Sequence, residues 1–463
     1  MKYDIIIIGS GPGGYVAAIR AAQLGKKVVV VEKSELGGVC LNWGCIPTKA
    51  LLKSAQVYHY LKNASHYGLP DVEVPSPDMA AIVARSRGVA ERMSKGVAFL
   101  FKKNKVELVN GYGRITSPGR VEVELNEGGS LALEGENIIV ATGSSPKYLP
   151  GIVPDGKKII NFRHALTMET LPQSMIVIGS GAIGSELAYF YHTLGTEVTL
   201  VEYMPVILPL EDEEVGKTLA RSFKKRKMKV LTGTAVKAVD TTGEMCKVTV
   251  ESKGKEKELE AAVVLSAVGV QPNITGFGLE ELKVETEKGK IKVDDNCQTN
   301  VPGIYAIGDV TEGPALAHLA SAEAVYCVEK MCGLDVEKPD YSNIPSAVYT
   351  VPEVASTGLT QKQAEEKGYE IRVGNFPFRA SGKATAAGNN DGFVKLIFDK
   401  KTDLLLGAHL IGDNVSEMIA GLVVARNAKV TGKQLFHSVH PHPTMSEAIM
   451  EAAAAAYGEV IHL

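Results

Sequence analysis

One pattern in this chain of 463 residues occurs twice at a constant offset, Gly9 matching Gly179 and Glu32 matching Glu202. The first copy runs Ile5–Ile8, Gly9-Ser10-Gly11-Pro12-Gly13-Gly14, an Ala-rich stretch to Leu24-Gly25, then Val28–Val31 and Glu32. The second runs Ile176–Ile178, Gly179-Ser180-Gly181-Ala182-Ile183-Gly184, a helical stretch to Leu194-Gly195, then Val198–Val201 and Glu202. Each copy reads as strand, G-x-G-x-x-G, helix, strand, acid. The first glycine permits the tight turn, the second lets backbone approach a pyrophosphate, and the third lets helix and strand pack closely. The helix N-terminus then offers unpaired N–H groups to the phosphates, and the acid meets a ribose hydroxyl. A lone glycine turn is weak evidence. Two copies in full context predict an α/β chain with two Rossmann-like dinucleotide sites.

The second site favours NAD over NADP. Glu202 is followed by Tyr203-Met204, with no Arg or Lys before Lys217. A carboxylate there accepts a 2′-hydroxyl and repels a 2′-phosphate. The first site is open to either by this reasoning. Further strand-like runs end in glycine turns, Ile138–Val140 before Ala141-Thr142-Gly143 and Val263–Val268 before Gly269, and Pro302–Asp309 reads as a strand ending in an acid. Beyond these, β-rich segments Phe393–Phe398 and Leu404–Ile411 precede Ala-rich helical ones.

Composition narrows the function. A net charge of −3 gives no basic footprint for nucleic acid. No run approaches the roughly 18 apolar residues of a membrane span. The four isoleucines Ile5–Ile8 are too few for a secretory h-region, which points to the cytoplasm. Six cysteines in that compartment are expected to be thiols, and any disulfide there is more often catalytic than structural.

Cys40-Leu41-Asn42-Trp43-Gly44-Cys45-Ile46-Pro47-Thr48-Lys49 closely follows Glu32. Gly44 and Pro47 predict that Cys45 sits near a helix N-terminus, where the dipole stabilises a thiolate. Lys49, one turn on, adds positive potential. The chain supplies its own control in Cys327-Val328-Glu329-Lys330-Met331-Cys332, the same spacing with no glycine between. That second pair reads as two ordinary helix thiols, and Cys246 and Cys297 as isolated structural ones.

His440-Pro441-His442-Pro443-Thr444-Met445-Ser446-Glu447 is the other polar cluster. A histidine exchanges protons with a thiol near neutral pH, and Glu447 could orient His442. Metal binding by H-x-H is the rival, but no neighbouring Cys or His completes a site. A surface turn with two prolines is the plainest alternative.

Together, Gly37-Gly38-Val39-Cys40…Cys45-Ile46-Pro47-Thr48-Lys49 and His442-Pro443-Thr444…Glu447 resemble the two-dinucleotide flavoprotein disulfide reductases, over essentially the whole chain. Within that family the nearest resemblance is to members that oxidise protein-bound dihydrolipoamide in 2-oxoacid dehydrogenase and glycine cleavage complexes. The resemblance implies FAD at the first motif and NAD at the second. It makes Cys45 the flavin-proximal thiol and Cys40 the interchange thiol. It sets Lys49 beside the flavin, paired with Glu186, and Asp309 on the ribityl chain. Ala317-His318 would contact the isoalloxazine, and Thr142, Gly143 and Gly269 join the cofactor-binding residues. His442, oriented by Glu447, would serve Cys40 of the other subunit in a homodimer. The implied division is 1–148 with 275–342 for FAD, 149–274 for NAD, and an α+β dimerisation domain at 343–463. The implied partner is a lipoylated acyltransferase or glycine cleavage carrier protein. Alternatives are a reductase of another disulfide and a flavoprotein scaffold. Gln271, where the family often has basic residues, and Trp43, expected near the flavin or in the core, depart from the pattern.

Overall fold

The structure, a computed structural model, describes residues 2–463. Its first sheet is built around β1 (Lys2–Ile8), α1 (Pro12–Gln23) and β2 (Val28–Glu32). Ile5–Ile8 pair in parallel with Val28–Val31 on one side. On the other side Asn137–Val140 of β5 (Ser130–Val140) run parallel to the same residues. Strands covered on both faces need near-continuous β-branched residues, and these two isoleucine and valine runs supply them.

The redox segment folds as two helices, α2 (Gly38–Trp43) and α3 (Cys45–Lys62), with Gly44 between them. A long helix, α4 (Met79–Asn104), packs on both. The sheet then makes an antiparallel excursion that the sequence reading did not anticipate. β3 (Glu107–Ser117) starts parallel to β2, turns into β4 (Arg120–Leu125), and returns through the first half of β5. Strand Ile304–Ala306 adds on the far side of β5.

A second sheet is wholly parallel, in the order Lys229–Leu231, Glu197–Val201, Ser174–Ile178, Val263–Ser266, Ile159–Ile160. Helix Ala182–Leu194 crosses from its central strand, Ser174–Ile178, to the adjacent Glu197–Val201. Three antiparallel strands, Ala235–Asp240, Cys246–Ser252 and Lys255–Ala261, accompany it. The third sheet is antiparallel, in the order Ser346–Val348, Glu353–Gly358, Leu405–Gly412, Phe393–Asp399, Ile371–Pro377. Helices Val415–Asn427 and Glu447–Ala455 cover it. Among the described residues no helix is long and apolar enough to cross a membrane.

One apolar core ties these regions together at the site. It joins Leu51 and Leu52 of α3, Phe190 and Tyr191 of helix Ala182–Leu194, and Val348 and Val354 of the third sheet. The segment expected as one strand, Pro302–Asp309, is instead strand Ile304–Ala306 followed by a 3₁₀ turn, Gly308–Val310, that holds Asp309.

Candidate active site

The two glycine motifs have the same local geometry. Gly9 and Gly179 lie at φ +99° and +95°. A Cβ on either would fall 2.3 or 2.5 Å from a carbonyl oxygen of the neighbouring strand's end, Ala141 or Ala267. A Cβ on Gly14 or Gly184 would fall 1.9 Å from the oxygen of Gly9 or Gly179. A Cβ on Gly11 or Gly181 would meet no protein atom within 4 Å. The outer glycines of each motif are thus needed by the fold, and the middle one is where backbone is open to a ligand. Each motif then starts a helix, α1 or Ala182–Leu194, with no side-chain cap on its N-terminal N–H groups. These residues fit a pyrophosphate at both places.

The acids are held from within the motif. Glu32 Oε2 accepts from Ser10 N–H at 2.9 Å and Ser10 Oγ at 2.6 Å, and its Oε1 accepts from Ser34 N–H at 2.8 Å. Glu202 repeats this with Ser180 at 2.9 and 2.6 Å, and with Met204 N–H at 2.8 Å. A carboxylate has about four lone-pair sites, so each keeps one for a ribose hydroxyl. Ser10 and Ser180 were missed as functional residues. Their recurrence at the same offset as the glycines was the available signal.

The redox segment owes its shape to the helix break. α2 ends at Trp43, Gly44 turns the chain, and Cys45 opens α3. Helix α4 clamps the segment along its length: Ser94 Oγ donates to Asn42 Oδ1 at 2.9 Å, Ser86 Oγ to the Pro47 carbonyl at 2.9 Å, and an Arg85 N–H to the Ala50 carbonyl at 2.7 Å. Trp43 is neither buried core nor free. It is half-buried against the core that includes Leu51 and Phe190, and the guanidinium groups of Arg87 and Arg163 lie 4.2 and 5.3 Å from its ring centroid.

Cys40 and Cys45 are both free thiols, and their side chains hydrogen-bond to each other. The bond acts oppositely on the two. Cys45 is lowered to about 7, first by the Cys40 hydrogen bond and then by the Lys49 cation, against burial and the Glu186 charge. The same bond, with burial, pushes the Cys40 thiol up. One sulfur is poised as a thiolate at a helix N-terminus, and the other holds its proton.

Lys49 meets Glu186 here. Its Nζ lies 2.9 Å from each Glu186 oxygen, and Glu186 is buried in helix Ala182–Leu194. Asp309 Oδ2 accepts from Ser144 Oγ at 2.5 Å. Thr142 and Gly143 are tied to Asn273: Thr142 Oγ1 donates to its carbonyl at 2.6 Å, and the Gly143 carbonyl accepts from its N–H at 2.9 Å. Gly269, at φ +106°, accepts from Lys147 N–H. Gln271 lies in a short ladder opposite Ser145. Ala317 is the first residue of helix Ala317–Met331, and the His318 ring is bonded to the Pro345 carbonyl at 2.8 Å.

His442 and Glu447 are joined as well. His442 Nδ1 lies 2.8 Å from Glu447 Oε1, and Glu447 Oε2 accepts from Thr444 N–H at 2.8 Å. Burial pushes the Glu447 carboxyl up, but the Thr444 N–H and the His442 ring outweigh it and hold it low. This dyad does not meet the cysteines within one chain. The His442 side chain is 79% exposed, and Glu447 is its hydrogen-bond partner among the described residues.

Cys297, expected to be isolated, is not. Its side chain hydrogen-bonds to Cys327, whose thiol is pushed up by that bond and by burial. Cys246 is buried against the carbonyls of Lys158 and Ala262.

Comparison with known proteins agrees with this geometry. Residues 3–324 match the model of the pyridine nucleotide-disulphide oxidoreductases, and residues 344–453 match that family's dimerisation domain. The chain is 48% identical to a dihydrolipoyl dehydrogenase of Rhizobium etli, covering 100% of this chain and 99% of the relative. It is 47% identical to one of Zymomonas mobilis, covering 99% of each. The crystal structure of LpdA from Mycobacterium tuberculosis superposes with a TM-score of 0.90 at 29% identity, covering 97% of this chain and 99% of that one. A chain with two dinucleotide cradles, a thiol pair between them and this dimerisation segment belongs to the pyridine nucleotide-disulphide oxidoreductase family.

Proposed function

We propose that this chain is a dihydrolipoyl dehydrogenase, which oxidises protein-bound dihydrolipoamide to lipoamide and passes the electrons through FAD to NAD. The observation that carries the reading is the thiol pair split by the Gly44 helix break, with Cys45 opening α3 one turn before Lys49, whose Nζ is paired with buried Glu186. The substrate is supported by the relatives, which are dihydrolipoyl dehydrogenases along their full length. The Glu202 side of the second cradle, with no nearby cation in sequence, supports NAD.

In the oxidised enzyme the two sulfurs form a disulfide. A substrate thiolate attacks Cys40 Sγ, the S–S bond breaks, and Cys45 leaves as the thiolate that Lys49 and the α3 N-terminus favour. The more acidic sulfur is the better leaving group. The second substrate thiolate then attacks its own partner sulfur in the mixed disulfide, closing the lipoamide ring and releasing Cys40. His442 Nε2 takes the proton of the first thiol and releases it to solvent, then takes that of the second and returns it to Cys40 Sγ, while Glu447 holds Nδ1–H and so fixes the tautomer. Bound FAD would carry the two electrons to NAD as the Cys40–Cys45 disulfide re-forms, with His442 taking the Cys40 proton.

The reading uses a homodimer, with His442 of one copy serving Cys40 of the other. Its support is the exposure of His442 and the match to the dimerisation domain. The reading also divides the chain into units 1–148 with 275–342, 149–274 and 343–463. It takes Asp309, Thr142, Gly143 and Ala317 as the flavin side and Gly269 as the nicotinamide side. The partner is a lipoylated acyltransferase or a glycine cleavage carrier protein. The location is the cytoplasm, which six cysteines without a structural disulfide support.

The test is steady-state turnover of the purified holoenzyme. Dihydrolipoamide with NAD is expected to give NADH with ping-pong kinetics, and NADP little. Glutathione disulfide with NADPH is expected to give no turnover. Absence of NADH with dihydrolipoamide, in enzyme that retains FAD, would reject the substrate.

A further inference from the structure

Glu186 accepts three hydrogen bonds although it is almost wholly buried. Two come from Lys49 Nζ. The third comes from the backbone N–H of Tyr349 to Oε1, at 2.9 Å. The Tyr349 ring then approaches the same cation, with Lys49 Nζ 4.3 Å from its centroid. One residue therefore contacts both ends of the ion pair. The three residues come from α3, from helix Ala182–Leu194 and from the turn after strand Ser346–Val348, far apart in sequence.

We propose that Tyr349 is a positioning residue of the redox centre: its ring and N–H fix the Lys49 cation against Glu186, and so set how readily Cys45 carries negative charge. The proposal rests on the reading of Cys45 as the redox thiolate. The groups acting on Cys45 are Cys40 from α2, Lys49 from α3 and Glu186 from helix Ala182–Leu194. Lys49 favours the thiolate and Glu186 opposes it, so the balance depends on where Nζ sits between them. Coulomb energies fall with distance, and a displaced cation changes the two opposing contributions unequally. A cation over an aromatic face is held by the ring quadrupole. Lys49, Glu186, Glu353 and Glu417 act on the phenol itself, and burial raises its pKa, so it stays neutral.

The backbone bond survives any side-chain change, so the ring's share can be removed alone. Tyr349→Phe keeps the π face. Tyr349→Met fills similar volume without one. The readout is the pH midpoint for alkylation of Cys45 in the reduced holoenzyme, mapped by peptide mass. Tyr349→Phe is expected to match the wild type. Tyr349→Met is expected to raise the midpoint by about half a pH unit, slowing alkylation about threefold below it. An unchanged midpoint in Tyr349→Met, or an equal shift in Tyr349→Phe, would overturn the proposal. A polyfluorinated phenylalanine at position 349 keeps the ring's shape and drains its π face. A midpoint equal to that of Tyr349→Phe would overturn the proposal even if Tyr349→Met fails to fold. Alkylation needs no turnover, so an inactive wild type would sink the functional reading and leave this shift measurable.

Discussion

Cys40/Cys45 and Cys327/Cys332 have one spacing and opposite fates. Between Cys40 and Cys45 the helix breaks: α2 ends, Gly44 turns, and Cys45 becomes the first residue of α3. The two side chains then reach each other. Between Cys327 and Cys332 the helix Ala317–Met331 is unbroken, and Cys332 caps its C-terminus. Cys327 turns into the core and bonds to Cys297 instead. The ends of the helices matter as much as the break. A helix N-terminus favours a thiolate at Cys45, whereas Cys332 sits at a helix C-terminus. Spacing therefore says little about chemistry until the backbone between the cysteines is known.

Several changes would break this contrast. The largest effect is expected from Cys45→Ser or Cys40→Ser, which should remove NAD reduction by dihydrolipoamide while FAD stays bound. The double variant Cys327→Ala/Cys332→Ala should keep activity within about twofold, after allowing for a loss of stability of on the order of 1 kcal/mol. Activity that survives Cys45→Ser but not the double variant would invert the assignment. Next, His442→Gln should lower turnover by about 10²–10⁴-fold, the usual range for a lost acid–base group. A wild-type rate in His442→Gln would take the proton transfer away from this residue. Mixing inactive His442→Gln with inactive Cys45→Ser chains should restore part of the activity if the site is shared between subunits. A smaller effect is expected from Lys49→Met. Losing the cation should raise the Cys45 alkylation midpoint by about one pH unit and leave Cys327 unreactive in the native protein. A midpoint that falls would mean that Glu186, not Lys49, dominates the thiolate.

The parts of the molecule written in local spacing were legible in the sequence. The paired strand–turn–helix–strand units are one example: the isoleucine and valine runs became central parallel strands, and both acids face their glycine turns. Cys45 at the start of a helix and the His442–Glu447 bond are others. What escaped the reading depends on contacts between distant segments. The excursion through β3 and β4 is marked by turn residues, Pro118-Gly119 and Gly128-Gly129, but which strands it pairs with is set by packing. The α4 side chains that clamp the redox segment, the Cys297–Cys327 bond and Tyr349 over Lys49 are placed by packing. Asp309 sits in a 3₁₀ turn and not at a strand's end because Gly308, at φ +75°, turns the chain after Ile307.

The most direct measurement is an anaerobic spectrum of the holoenzyme reduced with one equivalent of dihydrolipoamide across a pH series, followed by NAD. Cys45 is lowered to about 7, so its thiolate is present above that pH and is lost as pH falls through it. The expected result is a long-wavelength thiolate–flavin band that grows as pH rises through about 7, and that gives way to NADH when NAD is added. Reduction with no such band at any pH, or a band that survives Cys45→Ser and disappears in Cys327→Ala/Cys332→Ala, would contradict the assignment of the first cysteine pair.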